Sequence, residues 1–363
     1  MNKYLYFLLF LTLLTSCKKK NTVDNSVNII EINSKEIHEK ANLSDIISGC
    51  EFIPLETSNN CLIGQIDKIE ISSNNIFTVD ARNARSILRF SLNGKFLNKI
   101  SSTGGAPNEY TQVNDIAIDP NSGNIGILTD KNVLFFTPDN NYLRKLEMPI
   151  YGYKIGWYEN RIIIYTANEY DLYEVNSKTG KESKLYFKTD ENKQKVLNHP
   201  FQLFGKEQVL YTSNFDYTIY SIDKNGIKPH TQFVFNEGMF TDKDIPSLKE
   251  DRKNANNFVR IKYYFENKTH IQIIYLYKSN PYLTIHNKLK KKTNTYNVLG
   301  IKDDITYSNS IPVALGVDDK NNFISTLNYS DVQDTLLFKK KALKSSENMN
   351  SMSNPIILRF KYK

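Results

Sequence analysis

Cysteine and tryptophan are scarce in this chain, with three Cys and one Trp in 363 residues. So few cysteines exclude a disulfide-dense miniature scaffold, and a chain this long can bury a core without one. The sequence also lacks a Gly-x-Ser-x-Gly elbow, a His-Glu-x-x-His pair, a Walker lysine loop and a Gly-x-Gly-x-x-Gly turn after a strand, so no nucleophile, zinc or phosphate motif is present. The five histidines, His38, His199, His230, His270 and His286, are scattered with no i, i+4 pair, which leaves a metal centre unsupported. What is plentiful is Tyr (23) and Phe (20), in a chain that is 40% hydrophobic and 24% charged. That balance excludes disorder, and the aromatic bias suits half-buried pleated surfaces.

The N-terminus reads as an address. Residues 1–16 form a signal peptide, with Lys3, an apolar run from Tyr4 to Leu14 that is too short to span a bilayer, and small residues at its end. Leu14-Thr15-Ser16-Cys17 resembles the lipobox of bacterial lipoprotein signals, which implies that Cys17 carries lipid and anchors the protein to a membrane. Residues 17–28 then form a polar tether starting with Lys18-Lys19-Lys20. By the same resemblance, Lys18 after the cysteine favours the outer membrane. This run, whose one acid is Asp24, lacks the acidic residues that resemble a surface-export signal of Bacteroidetes lipoproteins, which favours the periplasmic side.

The formal charge is +8, or +7 once residues 1–16 are removed. The excess is dispersed except at Lys288-Leu289-Lys290-Lys291-Lys292, which reads as a solvated hairpin turn. Nucleic acid is not an expected partner, because an exported protein does not meet it and the basic residues are not interleaved with stacking aromatics. Cys50 and Cys61 remain as an even pair on either side of a short strand and turn. They could form a disulfide or stay as two buried thiols.

Repeats organise the rest. Asn75–Asp80, Ser86–Ser91 and Phe96–Ile100 read as strands, with an Asn93-Gly94 turn between the last two. The plan recurs fifty positions on, as judged by Asp80 and Asp130, and fainter copies start at Arg161, Gln208, Ile271 and Asn322. Six units of turn-separated short strands without intervening helices predict an all-β fold, a six-bladed β-propeller over residues 29–363 at about 55 residues per blade. Such a ring must close. Early strands such as Asn28–Ile32 and the final Pro355–Phe360 are the candidates. The stretch from Phe235 to Tyr264 breaks the rhythm with a helix-start pattern at Asp244-Ile245-Pro246 and reads as an inter-blade insertion or a lid.

The lipobox, Glu51-Phe52-Ile53-Pro54-Leu55-Glu56-Thr57, Ile63-Gly64-Gln65-Ile66, the turn unit from Phe90 to Phe96, Gly104-Gly105-Ala106-Pro107-Asn108-Glu109-Tyr110 and the terminal Asn354-Pro355-Ile356-Ile357-Leu358 together resemble the six-bladed, NHL-repeat-like propeller lipoproteins of Bacteroidetes. The family pattern usually has Gly-x-Gly-Pro-Gly-Glu-Tyr; here Ala106 precedes the Pro and Asn108 replaces a Gly.

Propeller ligands usually bind where loops converge at a mouth of the central channel. Asp80 and Asp130, at matching strand ends, and Arg82 and Arg85 are the ligand-binding candidates. Carboxylates there could hold a sugar hydroxyl or Ca²⁺, though nothing in the sequence supports a calcium ion or any other cofactor, and the arginines could hold a carboxylate. The competing reading has the aspartates capping their own turns. Gly104, Gly105, Pro107, Glu109 and Tyr110 read as a structural turn in which the carboxylate accepts loop N–H groups. The expected role is a non-catalytic binding or scaffold module of the cell envelope, for a carbohydrate, a peptide or an envelope protein. The alternative is a metal-dependent, lactonase-like hydrolase or a glycan lyase with its site at the channel mouth.

Overall fold

The computed structural model describes residues 27–363 except 73–74, 167, 189–198, 214, 309–310 and 333–351. The signal peptide, Cys17 and nearly all of the tether lie outside the described residues.

The chain is a six-bladed β-propeller. The first three blades are four-stranded antiparallel sheets spanning 68–100, 115–147 and 154–188. The fourth (201–235) and fifth (260–297) have the same plan, and the sixth combines Gly316–Val317, Phe323–Leu327 and Ile356–Tyr362 with a strand from the N-terminus. The first strand of each blade is innermost. Lys68–Ser72, Asp115–Ile118, Lys154–Tyr158, Phe201–Phe204, Arg260–Glu266 and Gly316–Val317 stand side by side around the axis.

The apolar runs follow from this packing. Successive side chains of a strand point to opposite faces, and each blade is covered on both faces by its neighbours. In Arg161–Tyr165, Ile162 and Ile164 therefore pack towards the second blade with Val133 and Phe135, while Ile163 packs towards the fourth with Val209 and Ile222. Six apolar clusters fill the six junctions between blades. A strand buried on both faces has no polar side to show, so its sequence is continuously apolar instead of alternating.

The N-terminal segment wraps the outside of the ring. Strand β1 (Asn28–Ile32) adds in parallel to the outer edge of the fourth blade, with Ile30 opposite Phe233. Strand β2 (Ile37–His38) does the same on the fifth blade, and β3 (Ala41–Asn42) pairs with Ile301–Lys302. After the short helix α1 (Leu43–Ile46), strand β4 (Ile47–Pro54) becomes the outer strand of the sixth blade, antiparallel to Ile356–Tyr362. The expectation that Asn28–Ile32 closes the ring is thus corrected: β4 closes it, and β1 is a fifth strand on another blade. The final strand does take part in closure.

The residues around the closure have identifiable work. The Asn354 side chain, 2% exposed, donates to Glu56 O and Cys61 O, both at 2.7 Å, and accepts from Ile63 N at 2.9 Å. Glu56 N donates to Gly94 O at 2.8 Å, and Glu56 Oε2 accepts from Phe96 N at 3.0 Å, which ties the sixth blade to the first. Gly94 has φ +83°, and a Cβ there would stand 2.0 Å from Pro54 O, so glycine is required twice over. Cys50 and Cys61 are not joined to each other. Cys50 packs against the cluster between the fifth and sixth blades. Cys61 sits in the cluster between the sixth and first, its thiol donating to Glu56 O at 3.1 Å. The disulfide reading is corrected to two thiols in separate cores.

The lysine run does lie in a hairpin turn, between Asn280–Asn287 and Lys292–Asn297. Lys288 departs from the solvated reading by folding inward to the buried Glu266 carboxylate at 2.5 Å. The 236–259 excursion holds one short α-helix, Ile245–Glu250, flanked by single 3₁₀ segments and anchored by Phe240 and Phe258.

Candidate functional site

A cavity of about 950 Å³ runs along the axis of the ring. Its solvent-exposed lining residues, among them Lys206, Glu207, Lys224, Lys268 and Asp319, all belong to loops at the end where the inner strands finish, so the mouth is there. Towards the other end it is lined by Lys68 and His199, and between them by Ala117, Ile155, Trp157, Phe201 and Gln202. The volume falls in the range of small-molecule sites, and the lining is shared about equally between apolar residues and polar or charged ones.

Side chains stitch neighbouring blades together around this cavity. Lys68 Nζ, on the first blade, meets Asp115 of the second at 3.1 Å, Ile116 O at 2.7 Å and Glu70 at 3.1 Å. Asp115 in turn accepts from Ile155 N of the third blade at 3.0 Å. Burial works against both charges. For Lys68 it is outweighed by Asp115 and Glu70, which hold the ammonium above its ordinary range. For Asp115 it is outweighed by Lys68 and Lys154, which hold the carboxyl below its own. Gln202 of the fourth blade exchanges two hydrogen bonds with the Glu266 backbone of the fifth, at 2.5 and 2.8 Å. Gln272 does the same with Ala314 of the sixth, at 3.4 and 2.9 Å. A primary amide offers one donor edge and one acceptor, the pattern of a peptide group, and here it substitutes for the ladder that separate blades cannot form.

The Glu266 carboxylate, 1% exposed, meets His230 Nε2 at 2.8 Å, Lys288 Nζ at 2.5 Å and the Tyr264 hydroxyl. Burial opposes its ionisation, but His230 and Lys288 prevail and hold it below the usual carboxylate range. It is a satisfied network at the cavity wall.

His199 differs. Its ring lies 5.7 Å from Tyr263 and 6.5 Å from Phe265, and its nitrogens make no hydrogen bond to another described residue. Burial, with the charges of Lys68 and Lys154 adding to it, pushes its pKa down to about 4. The imidazole is therefore neutral near pH 7 and carries one donor and one acceptor nitrogen into the cavity.

The residues singled out from the sequence lie elsewhere. Asp80, Arg82, Arg85 and Asp130 are at the opposite end, where inner strands begin, and none lines the cavity. Asp80 accepts from Asn83 N (2.8 Å), Ala84 N (3.1 Å) and Gln65 N (3.1 Å), so it organises its own turn. Arg82 pairs with Asp67 at 3.3 Å, and Arg85 donates to Thr111 O at 2.9 Å. Asp130 accepts from the Gln112 amide on the second blade, and it is not brought together with Asp80. Glu109 Oε2 accepts from Ala106 N at 2.8 Å, and a Cβ on Gly104 would stand 2.0 Å from that oxygen. Pro107 follows Ala106 in the same loop, and Gly105 has open space around it. The Tyr110 hydroxyl donates to Arg85 O at 3.1 Å, so this loop joins the first blade to the second. Lys68, Trp157, His199 and Gln202 escape the sequence reading. The alternation in Lys68-Ile69-Glu70-Ile71-Ser72 is the one signal that marks an inner strand.

Among the described residues no three His, Cys, Asp or Glu side chains are grouped to hold a metal ion, and no helix is long and apolar enough to cross a membrane.

A family model described as a domain of unknown function, DUF4934, matches residues 27–361. No curated protein matches the chain. Among solved structures it is similar to a protein of Bacteroides fragilis described as exported, at 19% identity over 93% of this chain and 100% of that one, with a TM-score of 0.74. It is also similar to a member of the DUF4221 family from Bacteroides vulgatus, at 8% identity over 87% and 97% of the two chains, with a TM-score of 0.57. These likenesses establish the propeller fold.

Proposed function

The chain belongs to the DUF4934 family, and from that premise and the geometry above we propose that it is a binding module of the cell envelope. Its ligand, a carbohydrate or a peptide segment, enters the axial cavity. The carrying observation is the neutral His199 imidazole, without a hydrogen bond to another described residue, in a cavity of about 950 Å³ where Lys68, Gln202 and Glu266 are already paired. An open donor–acceptor pair among groups that are already paired orients a ligand at this end of the cavity. Trp157 and Phe201 supply flat apolar area beside it. Export is supported by the leader sequence and by the description of the similar Bacteroides fragilis protein. Attachment through lipid on Cys17, facing the periplasm from the outer membrane, rests on the lipobox alone.

The test uses the single tryptophan, which lines the cavity. Titrating the full chain with a panel of oligosaccharides and short peptides should give a saturable change in Trp157 emission for at least one of them. In His199→Ala the apparent affinity should weaken about tenfold, the size of one or two lost hydrogen bonds. If no compound moves the emission, or if His199→Ala binds as well as the parent, the cavity is not the binding site.

A further inference from the structure

We propose that the opposite end of the ring, where the inner strands begin, carries a second and separate site, a shallow carbohydrate-binding surface formed by Tyr151, Tyr153, Gln112 and Asp130. The two tyrosines lie in the connection just ahead of Lys154, Gln112 in the connection ahead of Asp115, and Asp130 just past Ile125–Leu128. Three separate segments thus converge at the junction of the second and third blades.

Tyr153 is 41% exposed although it is an aromatic residue in a well-anchored turn. Its ring is 4.9 Å from that of Tyr151, tilted by 54°, and 6.4 Å from Tyr165 behind it. The turn is fixed on every side. Gly152 N donates to Asp130 O at 3.0 Å, Tyr153 N donates to Tyr165 O at 2.9 Å, and Gly152 O accepts from Asn114 Nδ2 at 2.7 Å. A Cβ on Gly152 would come within 2.7 Å of Ile164, so the backbone is pressed against the core and the rings are held outward. A platform fixed in this way loses little entropy when a ligand lands on it.

The polar groups beside the platform form one hydrogen-bonded cluster. The Gln112 amide nitrogen reaches the Asp130 carboxylate, Asn114 Oδ1 at 3.0 Å and Tyr151 Oη at 3.2 Å, one acceptor more than its two hydrogens can serve. The Tyr151 hydroxyl is bonded to Asp130 as well, and a carboxylate has acceptor sites for about four hydrogens, so Asp130 keeps sites for an incoming hydroxyl. Asp130 also forms a wall of a cleft of about 360 Å³, whose other polar lining includes Thr111, Thr129 and Asn132. A pyranose has an apolar C–H face and a rim of hydroxyls. The exposed Tyr153 ring suits the face. The Asp130 carboxylate, which can accept from two neighbouring hydroxyls, suits the rim.

Calorimetry on the full chain tests this with cellohexaose, maltohexaose, xylohexaose and chitohexaose, and with a neutral hexapeptide for comparison. At least one hexasaccharide should bind. Tyr153→Ala should weaken it about tenfold, whereas Tyr153→Phe, which keeps the ring, should stay within about twofold. Asp130→Asn should also weaken binding while leaving thermal unfolding of the chain unchanged. Any Trp157 response to that hexasaccharide should be the same in Tyr153→Ala, because Trp157 lies towards the other end of the third blade's inner strand and reports on the axial cavity. The proposal is overturned by the absence of hexasaccharide binding, by equal binding in Tyr153→Ala, by a preference for the hexapeptide, or if Tyr153→Ala abolishes a Trp157 response to the same hexasaccharide.

Discussion

At the scale of single residues, His199 sets a pH dependence. Its folded-state pKa is about 4, against about 6.5 in an unfolded chain. Between those values the unfolded state binds a proton that the folded state refuses, so stability falls as pH drops from about 6.5 to 4, by up to about 3 kcal/mol from this group. Burial lowers His270 and His286 as well, so they too withdraw stability as pH falls below the ordinary histidine range. Asp115 and Glu266 act lower down: their depressed values add stability above the ordinary carboxylate range that is lost as pH falls through the folded pKa. Replacing His199 with Gln should therefore shrink the difference between urea midpoints at pH 7 and pH 4.5 without abolishing it. An unchanged difference would mean that His199 is solvated.

At the scale of elements, β1 works as an added strand whose two faces have different value. Ile30 (1% exposed) and Ile32 (3%) enter the cluster between the fourth and fifth blades, while Ile29 is 58% exposed. Ile30→Ala should cost about 2–5 kcal/mol in chemical denaturation, and Ile29→Ala less than about 0.5; similar losses would show that β1 is not docked in this register. The contrast also explains what could be read from the sequence. Blade strands such as Arg161–Tyr165 were legible because burial on both faces leaves an apolar run, and Asn93-Gly94 was legible because a turn is a local matter. The edge partners were not. Strands β1 and β4 pair with segments some 200 and 300 residues away, and no local pattern encodes a distant partner. The same limit governed the site. Asp80 stood out because an aspartate that accepts neighbouring N–H groups has a local signature, and a local role is what it has. Lys68, Gln202 and His199 converge only because the ring brings their inner strands together.

At the scale of the whole molecule, the question is whether six similar blades behave as one body. Every apolar cluster is shared by two neighbouring blades, and in an open array such sharing would still let the end units fray. Closure removes the ends. The sixth blade takes its outer strand from β4, and Phe360, 2% exposed, stacks on Phe323 at 6.0 Å and meets Tyr362 edge-on at 5.4 Å inside that blade. Arg359 fastens the same strand to Glu51 at 2.8 Å and Asp318 at 2.9 Å. Phe360→Ala should cost about 3–5 kcal/mol. The informative readout is where the loss appears. In a closed ring that unfolds as one unit, amides of Arg161–Tyr165 in the third blade, across the ring from the substitution, should lose hydrogen-exchange protection in step with those of Ile356–Tyr362. If exchange quickens in the sixth blade and its neighbours while the third keeps its parental rates, the blades unfold singly, and the strand contributed by β4 fastens one blade instead of the ring.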